Sequence, residues 1–398
     1  MKIGIIGGGV VGGGVVEILK RHPDIEIVYL VVKDVEKHRD FTIPSKCIVT
    51  SDIDALLNDD SVDTIVELMG GTDSAWDAIR TSLTRGRNVV TANKALISKN
   101  MHEIENILSL SIKRPFFLYE AAVCGGIPII NALLRSMRGD DILSIAGVMN
   151  GSTNWMLDRM EKTGDSYEQL LGEAKALGYL EADPSADILG WDARSKLCIL
   201  ARLGFGISLD EKQVACTGID AVRSADMDFA RARGKSIKLL ASAWVRDGKV
   251  HAFVMPSLVE QSNALSRLEG AMNACYFEAK YSGSHTLIGS GAGRYPTANS
   301  VVSDILEISK LRDMQVAGGF EPFGVMERGL SFDPDFENRF YIRAKDGQAV
   351  EKIKRALTQQ GVTFVEEAGV IQTEVSSYTR VKASLHDTSL YSAMLVVV

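Results

Sequence analysis

The chain has 398 residues, 46% hydrophobic and 24% charged, with a net charge of −7. That balance suits two or three globular domains with sizeable cores, and an acidic surplus without a basic tail argues against a nucleic-acid partner. No apolar run reaches the ~20 residues of a membrane span, and the opening MKIGIIGGGV reads as a first strand rather than a secretion signal, so no membrane partner is expected and the cytoplasm is the expected compartment.

Lys2–Ile6 is a short apolar strand that runs into GGGVVGGGVVEILK. Gly7, Gly9 and Gly12 fit G-x-G-x-x-G between a strand and a helix, where glycines let a pyrophosphate approach the backbone at the helix N-terminus. Gly7, Gly9, Val10, Val11 and Gly12 are therefore candidate cofactor-binding residues. A glycine-rich turn chosen for close packing is the plainer alternative. The next strand, Ile25–Val32, ends at Lys33-Asp34. An acidic residue here suits the ribose hydroxyls of NAD and a basic one the 2′-phosphate of NADP. Lys33, with Lys37 and Arg39 nearby, tilts the expectation to NADP.

Strand and helix signals then alternate. Cys47–Thr50, Thr64–Met69, Asn88–Thr91 and Phe116–Ala122 read as strands; Asp54–Leu57, Thr72–Arg85 and Ser98–Leu110 read as helices. Units of this length predict a doubly wound parallel sheet, α/β in class, with ligands beyond the carboxyl ends of the strands. Two loops occupy such ends: MGG, with Gly70, and TANK, with Thr91 and Lys94. Lys94 is a candidate for the reaction centre, against the alternative of a solvated loop lysine.

Gly125, Gly126 and Pro128 break the pattern and mark a domain boundary. Beyond it, the loop NGSTNW is rich in backbone amides and small polar groups, which can hold a carboxylate or an amino group or simply cap a helix. The stretch GYLEADPSADILGWDARSKLCILARL crowds Glu181, Asp183 and Asp187 around Pro184, then turns helical from Ile188 to Leu203, with Gly204 as the expected stop. Ile188, Asp192, Lys196, Ile199 and Leu203 fall on one stripe, which sets a carboxylate and an ammonium on an apolar face. Two readings stay open: an inward pair serving a site, or an ordinary surface pair worth only ~0.3–0.5 kcal/mol. Ser236–Val245 and Val250–Val254 read as strands. The run GSGAGRYPTA, containing Gly291, precedes a helix over Ala298–Leu311. Glu321–Glu337 is linker-like. Strands at Arg339–Ala344, Val362–Val375 and Thr379–Ala383, a helix at Ala349–Gln360, and a final helix and strand suggest a small βαββαβ unit. The five scattered cysteines, without CxxC, and six isolated histidines give neither a disulfide framework nor a zinc spacing.

These motifs, taken together and in order, resemble the homoserine dehydrogenase family: the glycine fingerprint, VELMGG, TANK, EAAVCGGIPII, NGSTN, GYLEADPSADILGWDARSKL and GSGAGRYPTA, over about residues 1–315. The resemblance implies a Rossmann-type cofactor domain (1–128 plus 292–318), an α+β substrate and dimerisation domain (129–291) and an ACT-like C-terminal unit (336–398), in a homodimer or homotetramer. It implies NAD(P)-dependent interconversion of L-homoserine and L-aspartate 4-semialdehyde. Lys196 and Lys94 then match catalytic lysines. Gly151, Ser152, Tyr179, Glu181, Asp187 and Asp192 match substrate-binding positions, and Gly291 a cofactor-binding one. Glu120, Val123, Gly125 and Ile127 match a sodium or potassium site built mostly from carbonyls, which suit hard cations. Ser290 replaces a common proline and Ser152 a common threonine. The C-terminal unit offers only AKDGQAV where the ACT ligand loop carries D-x-P-G, which puts threonine feedback in doubt. The rival readings are another NAD(P)-dependent amino-acid dehydrogenase and a non-catalytic NAD(P)-sensing regulator.

Overall fold

Buried β-rich runs separated by amphipathic helices open the chain, and the computed structural model, which describes residues 1–314, 328–387 and 391–397, gathers them into a parallel sheet. Its elements are β1 (Lys2–Ile6), α1 (Val10–Leu19), β2 (Glu26–Val31), β3 (Ile48–Thr50), α2 (Ile53–Asn58), β4 (Thr64–Glu67), α3 (Asp73–Thr84), β5 (Asn88–Thr91), α4 (Lys94–Leu110) and β6 (Phe117–Leu118). The strand order is β3-β2-β1-β4-β5-β6, all parallel, so the direction of winding reverses between β1 and β4. In such sheets ligands bind outside the carboxyl ends of the strands at that reversal. Ile3, Ile5, Val15, Val16, Val301 and Ile305 share one core, and the helix Arg294–Asp313 contributes the last two. That helix packs closely on α1 because Gly14 lacks a side chain: a Cβ there would stand 2.9 Å from that of Ala298.

The helix expected over Ala298–Leu311 runs over Arg294–Asp313, and two further expectations in this unit need correction. Only Phe117–Leu118 of the expected strand Phe116–Ala122 pairs with β5; the chain then turns through Glu120–Ala122, where the Glu120 amide donates to Asp304 Oδ2 at 2.9 Å. The helix expected from Ser98 begins at Lys94, because the Asn93 side chain accepts from the Leu96 amide and caps it.

The compact units are Met1–Gly139 with Arg202–Gly206 and the chain from Gly289, and Asp140–Ala201 with Ile207–Ile288 and the C-terminal region. The first boundary therefore falls later than the expected Pro128. Among the described residues, the second unit holds a 12-stranded mixed sheet. Its long hairpin pairs Lys235–Arg246 with Lys249–Glu260. The C-terminal segment does form βαββαβ, with strands Glu337–Ala344, Phe364–Glu367, Val370–Thr373 and Tyr391–Val397 and helices Gly347–Gln359 and Tyr378–Ser384. Thr379–Ala383, expected as a strand, is thus helical: Ser377 Oγ caps it by accepting from the Arg380 amide.

The C-terminal strands do not stand apart from the rest of this unit. Ser257 and Leu258 pair in parallel with Val396 and Val397, making one sheet of the two. Phe253, Met255, Phe340, Ile353 and Tyr378 lie in one shared core, and each such buried side chain contributes ~1.5–3 kcal/mol. Asp226, fully buried, accepts from Tyr341 Oη at 2.6 Å and Arg343 Nε at 2.8 Å, a second tie between the regions. Asp346 of AKDGQAV caps the following helix by accepting from the Ala349 amide at 2.8 Å. Of the expected linker over residues 321–337, residues 321–327 lie outside those described. Among the described residues no helix is long and apolar enough to cross a membrane.

Candidate active site

In the first unit, the glycines of the fingerprint are required by sterics. Gly7 has φ 112°, and a Cβ on it would lie 2.5 Å from the Leu68 carbonyl oxygen. A Cβ on Gly12 would lie 2.0 Å from the Gly7 oxygen. Around Gly9, by contrast, a Cβ would meet nothing within 4 Å, and Val10 beside it is 67% exposed. The N-terminus of α1 therefore opens onto free space with its first amides presented, the cradle a dinucleotide pyrophosphate needs. At the end of β2, Asp34 Oδ1 accepts from the amides of Glu36 and Lys37, and Arg39 donates to the carbonyls of Asp34, Val35 and Lys37. Lys33 is exposed next to this turn.

The loops after β4 and β5 are tied together by a residue the sequence reading passed over. Glu67, fully buried, accepts from the Met69 amide at 2.9 Å and from Thr91 Oγ1 at 2.7 Å, and burial raises its carboxyl above the ordinary range. Thr91 Oγ1 in turn accepts from the Asn93 amide, and Asn93 Nδ2 donates to the Gly71 carbonyl at 2.7 Å. Gly70 and Thr91 thus sit in one network, and Lys94 follows as the first residue of α4.

Glu120 spends its carboxylate on structure. Oε1 accepts from the Ile130 amide, and Oε2 from the Asn131 amide and side chain. Val123 and Ile127 are buried around left-handed Cys124 and Gly125, and Gly125 packs on the Gly291 carbonyl, which a Cβ would meet at 2.7 Å. The Gly125 carbonyl accepts from Ser300 Oγ at 2.8 Å. Any cation at this loop would therefore be held through carbonyl oxygens, not through the Glu120 carboxylate.

The second unit contains the polar cluster. The expected helix Ile188–Leu203 is two pieces: a single turn Ser185–Ile188, a left-handed Gly190 with φ 80°, then Trp191–Phe205. Gly206, with φ 73°, and not Gly204, ends it. Asp192 and Lys196 face inward, their side chains 6% and 9% exposed, with Lys196 Nζ donating to Asp192 Oδ2 at 2.7 Å. Nζ also donates to the Met149 carbonyl at 2.7 Å.

One amide joins this pair to the loop. Asn150 Nδ2 donates to Asp192 Oδ2 at 2.9 Å and to Asp187 Oδ1 at 2.5 Å. Its Oδ1 accepts from the Thr153 amide at 2.9 Å and caps the helix Gly151–Thr163. Ser152 Oγ donates to the Tyr179 carbonyl at 2.6 Å, and the Tyr179 ring lies against Trp155. Asn150, Ser152, Tyr179, Asp187, Asp192 and Lys196 are thus gathered around the start of one helix, where Gly151 is its first residue. Glu181 is exposed and outside this bonded group. Asn150 caps the helix as the NGSTNW loop allows, but its bridge between Asp187 and Asp192 was not expected from sequence. Chemically, the cluster brings the Lys196 ammonium and the Asp192 carboxylate together with the Asp187 carboxylate, which Asn150 links to them, at the start of a helix.

A model of the homoserine dehydrogenase family matches residues 128–306, and a model of that family's NAD-binding domain matches residues 7–114. The homoserine dehydrogenase of Helicobacter pylori is 33% identical over 98% of this chain and 92% of its own length. The chain belongs to the homoserine dehydrogenase family. A solved homoserine dehydrogenase from Thiobacillus denitrificans is similar with a TM-score of 0.88 and 29% identity, over 100% of this chain and 98% of that one. A hyperthermophilic archaeal homoserine dehydrogenase, solved in complex with NADPH, is similar with a TM-score of 0.65 and 26% identity, over 78% of this chain and 97% of that one. The activity is that of an NAD(P)-dependent oxidoreductase interconverting L-homoserine and L-aspartate 4-semialdehyde. The other amino-acid dehydrogenases and the non-catalytic sensor are thereby set aside.

Proposed function

We propose that Lys196 is the acid/base of this homoserine dehydrogenase and that the Asn150 cluster binds its substrate. The observation that supports this reading is the inward Lys196, held between Asp192 and the Met149 carbonyl. Bound NAD(P) supplies the hydride acceptor for oxidation and the hydride donor for reduction. In reduction the Lys196 ammonium gives a proton to the forming alkoxide oxygen. In oxidation the neutral amine, or a water it orients, takes the hydroxyl proton. Such help contributes about 10²–10⁴-fold. Asp192 orients Lys196, and Lys94 is the second proton-handling or carbonyl-polarising group. The substrate ammonium pairs with the carboxylate surplus, to which Asp187 belongs and which Glu181 completes. The substrate carboxylate suits the amides of Gly151 and Ser152 at the helix start.

In the cofactor unit we assign the pyrophosphate to Gly7, Gly9, Val10, Val11 and Gly12. Gly70, Thr91, Lys94 and Gly291 complete the cofactor contacts, and Lys33 favours NADP. The carbonyls of Glu120, Val123, Gly125 and Ile127 are assigned a sodium or potassium ion. The enzyme is read as a cytoplasmic homodimer or homotetramer, which sedimentation and cell fractionation check. The experiment that tests the central assignment follows absorbance at 340 nm with homoserine and each cofactor across pH. Oxidation should speed up toward alkaline pH, and that rise should vanish in Lys196→Ala. A folded, cofactor-binding variant that keeps the rise would transfer the role to Lys94.

A further inference from the structure

Asn273 is 1% exposed, and among the described residues neither its Nδ2 nor its Oδ1 has a hydrogen-bond partner. Folded proteins leave few buried amides in that state, and each calls for a reason. Asn273 lies near the start of the strand Met272–Ala279, where Ala274 pairs with Val148 and Cys275 with Gly147. Continuing that antiparallel register sets Asn273 across from Met149, whose carbonyl holds Lys196 Nζ. Its Oδ1 is 3.4 Å from the point a Cβ on Gly151 would occupy, so the amide is aimed at the N-terminus of the Gly151–Thr163 helix.

The segment leading to Asn273 is fixed to that same helix. Asn154 Nδ2 donates to the carbonyls of Gly270 at 2.9 Å and Met272 at 3.2 Å. Lys238, 1% exposed, donates to the Leu268 carbonyl at 2.6 Å and to Asn154 Oδ1 at 3.2 Å. A Cβ on Gly151 would lie 2.6 Å from the Ala271 carbonyl oxygen. Leu268–Asn273 is therefore a braced backing for Asn150–Ser152, and the one amide in it without bonds points at that loop. A side-chain amide offers donors and an acceptor together, the complement of a peptide group.

We propose that Asn273 is a positioning residue for substrate binding: when an α-amino-acid substrate engages Asn150–Ser152, the peptide groups of that loop close onto the Asn273 amide. The bonds completed there add to substrate affinity. The proposal rests on the assignment of the loop to the substrate. Asn273 is shielded from solvent, so it acts through the loop and does not touch the substrate.

Asn273→Leu keeps the approximate volume and removes the amide. Without substrate, this variant should melt at or above the wild-type temperature, because a buried group without partners has been removed. The KM and Kd for homoserine should rise about tenfold, the worth of one net hydrogen bond. The cofactor KM and kcat should stay within about twofold, and the thermal shift produced by homoserine should shrink. Asn273→Ser, which keeps a donor and an acceptor, should fall between wild type and Asn273→Leu, and it carries the test if the leucine variant does not fold. Unchanged homoserine KM in a folded variant overturns the proposal, whether or not the melting temperature falls. Ser152→Ala, which adds no atom against the Ala271 carbonyl, separates the two ideas. If it raises the homoserine KM and Asn273→Leu does not, only the role of Asn273 fails. If it too leaves it unchanged, the loop assignment fails with it.

Discussion

Lys196 is bonded to a partner on its own helix and is nearly buried, so a loss of activity on its removal has two candidate causes: lost proton transfer and lost structure. Magnitudes separate them. Lys196→Met leaves the Asp192 carboxylate, 6% exposed, without its ammonium, and takes the donor from the Met149 carbonyl. Breaking a buried pair from one side costs about 3–5 kcal/mol. At roughly 2–4 °C per kcal/mol for a unit of this size, the melting temperature should fall by about 6–20 °C. Lys196→Met with Asp192→Leu removes both charges, and replacing a buried pair by apolar groups is often close to neutral. The double variant should therefore regain most of the lost melting temperature. Its homoserine oxidation, followed at 340 nm, should stay down by about 10²-fold or more, since acid/base help of that order is gone. Cofactor binding, measured by fluorescence titration, should be unchanged in both. A double variant that recovers stability and also turns over within about tenfold of wild type would refute the reasoning, because Lys196 would then be a structural counter-ion.

The other expectations lie in the cofactor unit. Lys33→Ala should weaken NADP binding more than NAD binding, and equal losses in paired titrations would remove the basis for the NADP preference. Burial, with the Glu120 and Glu307 charges adding to it, pushes the Asp304 carboxyl well above its ordinary range. From about pH 4 up to that raised value the folded state holds a proton the unfolded chain has lost, so stability falls as pH rises. Asp304→Asn should flatten this decline in melting temperature across pH 4–8, and an unaltered slope would show that Asp304 is ionised in the fold. Sodium or potassium should change activity or melting temperature at matched ionic strength, against a large organic cation as control, and a flat titration of both ions would remove the cation from Glu120–Ile127.

Much of this was legible because it is local. Gly7, Gly9 and Gly12 stand between a strand and a helix, and the backbone collisions a Cβ would make at the first and last explain their spacing. The strand Asn88–Thr91 was read residue for residue, its apolar run being bounded by turn signals. Asp192 and Lys196 could be paired from helical spacing, yet the spacing left open whether they face inward, and the left-handed break at Gly190 lies outside the periodicity. The features that stayed hidden are non-local. Asn150 meets acidic side chains 37 and 42 residues away, and Ser257 pairs with Val396. No periodicity announces either. The strand expected over Val250–Val254 runs over Lys249–Glu260, and Pro256, a residue usually confined to strand edges, lies opposite Leu239 inside the ladder. Thr379 and Val381 favour a strand by their branching, and the Ser377 cap, with Asp335 accepting from the Thr379 amide, overrides them.

Asn150 ties the helix start, two carboxylates and Lys196 into one bonded chain, and its two ends can be tested apart. The Oδ1 end caps the helix; the Nδ2 end bridges Asp187 and Asp192. Serine caps about as well as asparagine, whereas alanine loses a cap worth about 1 kcal/mol. Serine cannot reach both carboxylates, so Asn150→Ser should keep the cap and lose the bridge. Without the bridge, Asp187 can turn away, while Asp192 keeps its bond to Lys196. Two hydrogen bonds to charged groups, at about 1.5–3 kcal/mol each, are then exchanged in part for water at the half-buried Asp187. If the bridge sets the spacing that receives the substrate ammonium, kcat/KM for homoserine should fall at least tenfold in Asn150→Ser, with cofactor affinity intact. Asn150→Ala should show the same kinetic loss and a further drop in melting temperature of about 2–4 °C for the cap. Comparing serine with alanine then isolates the cap, and comparing wild type with serine isolates the bridge. Full kcat/KM in Asn150→Ser would mean that the bridge only relieves repulsion between two acids, and that the substrate ammonium is received by other groups, with exposed Glu181 the first to test.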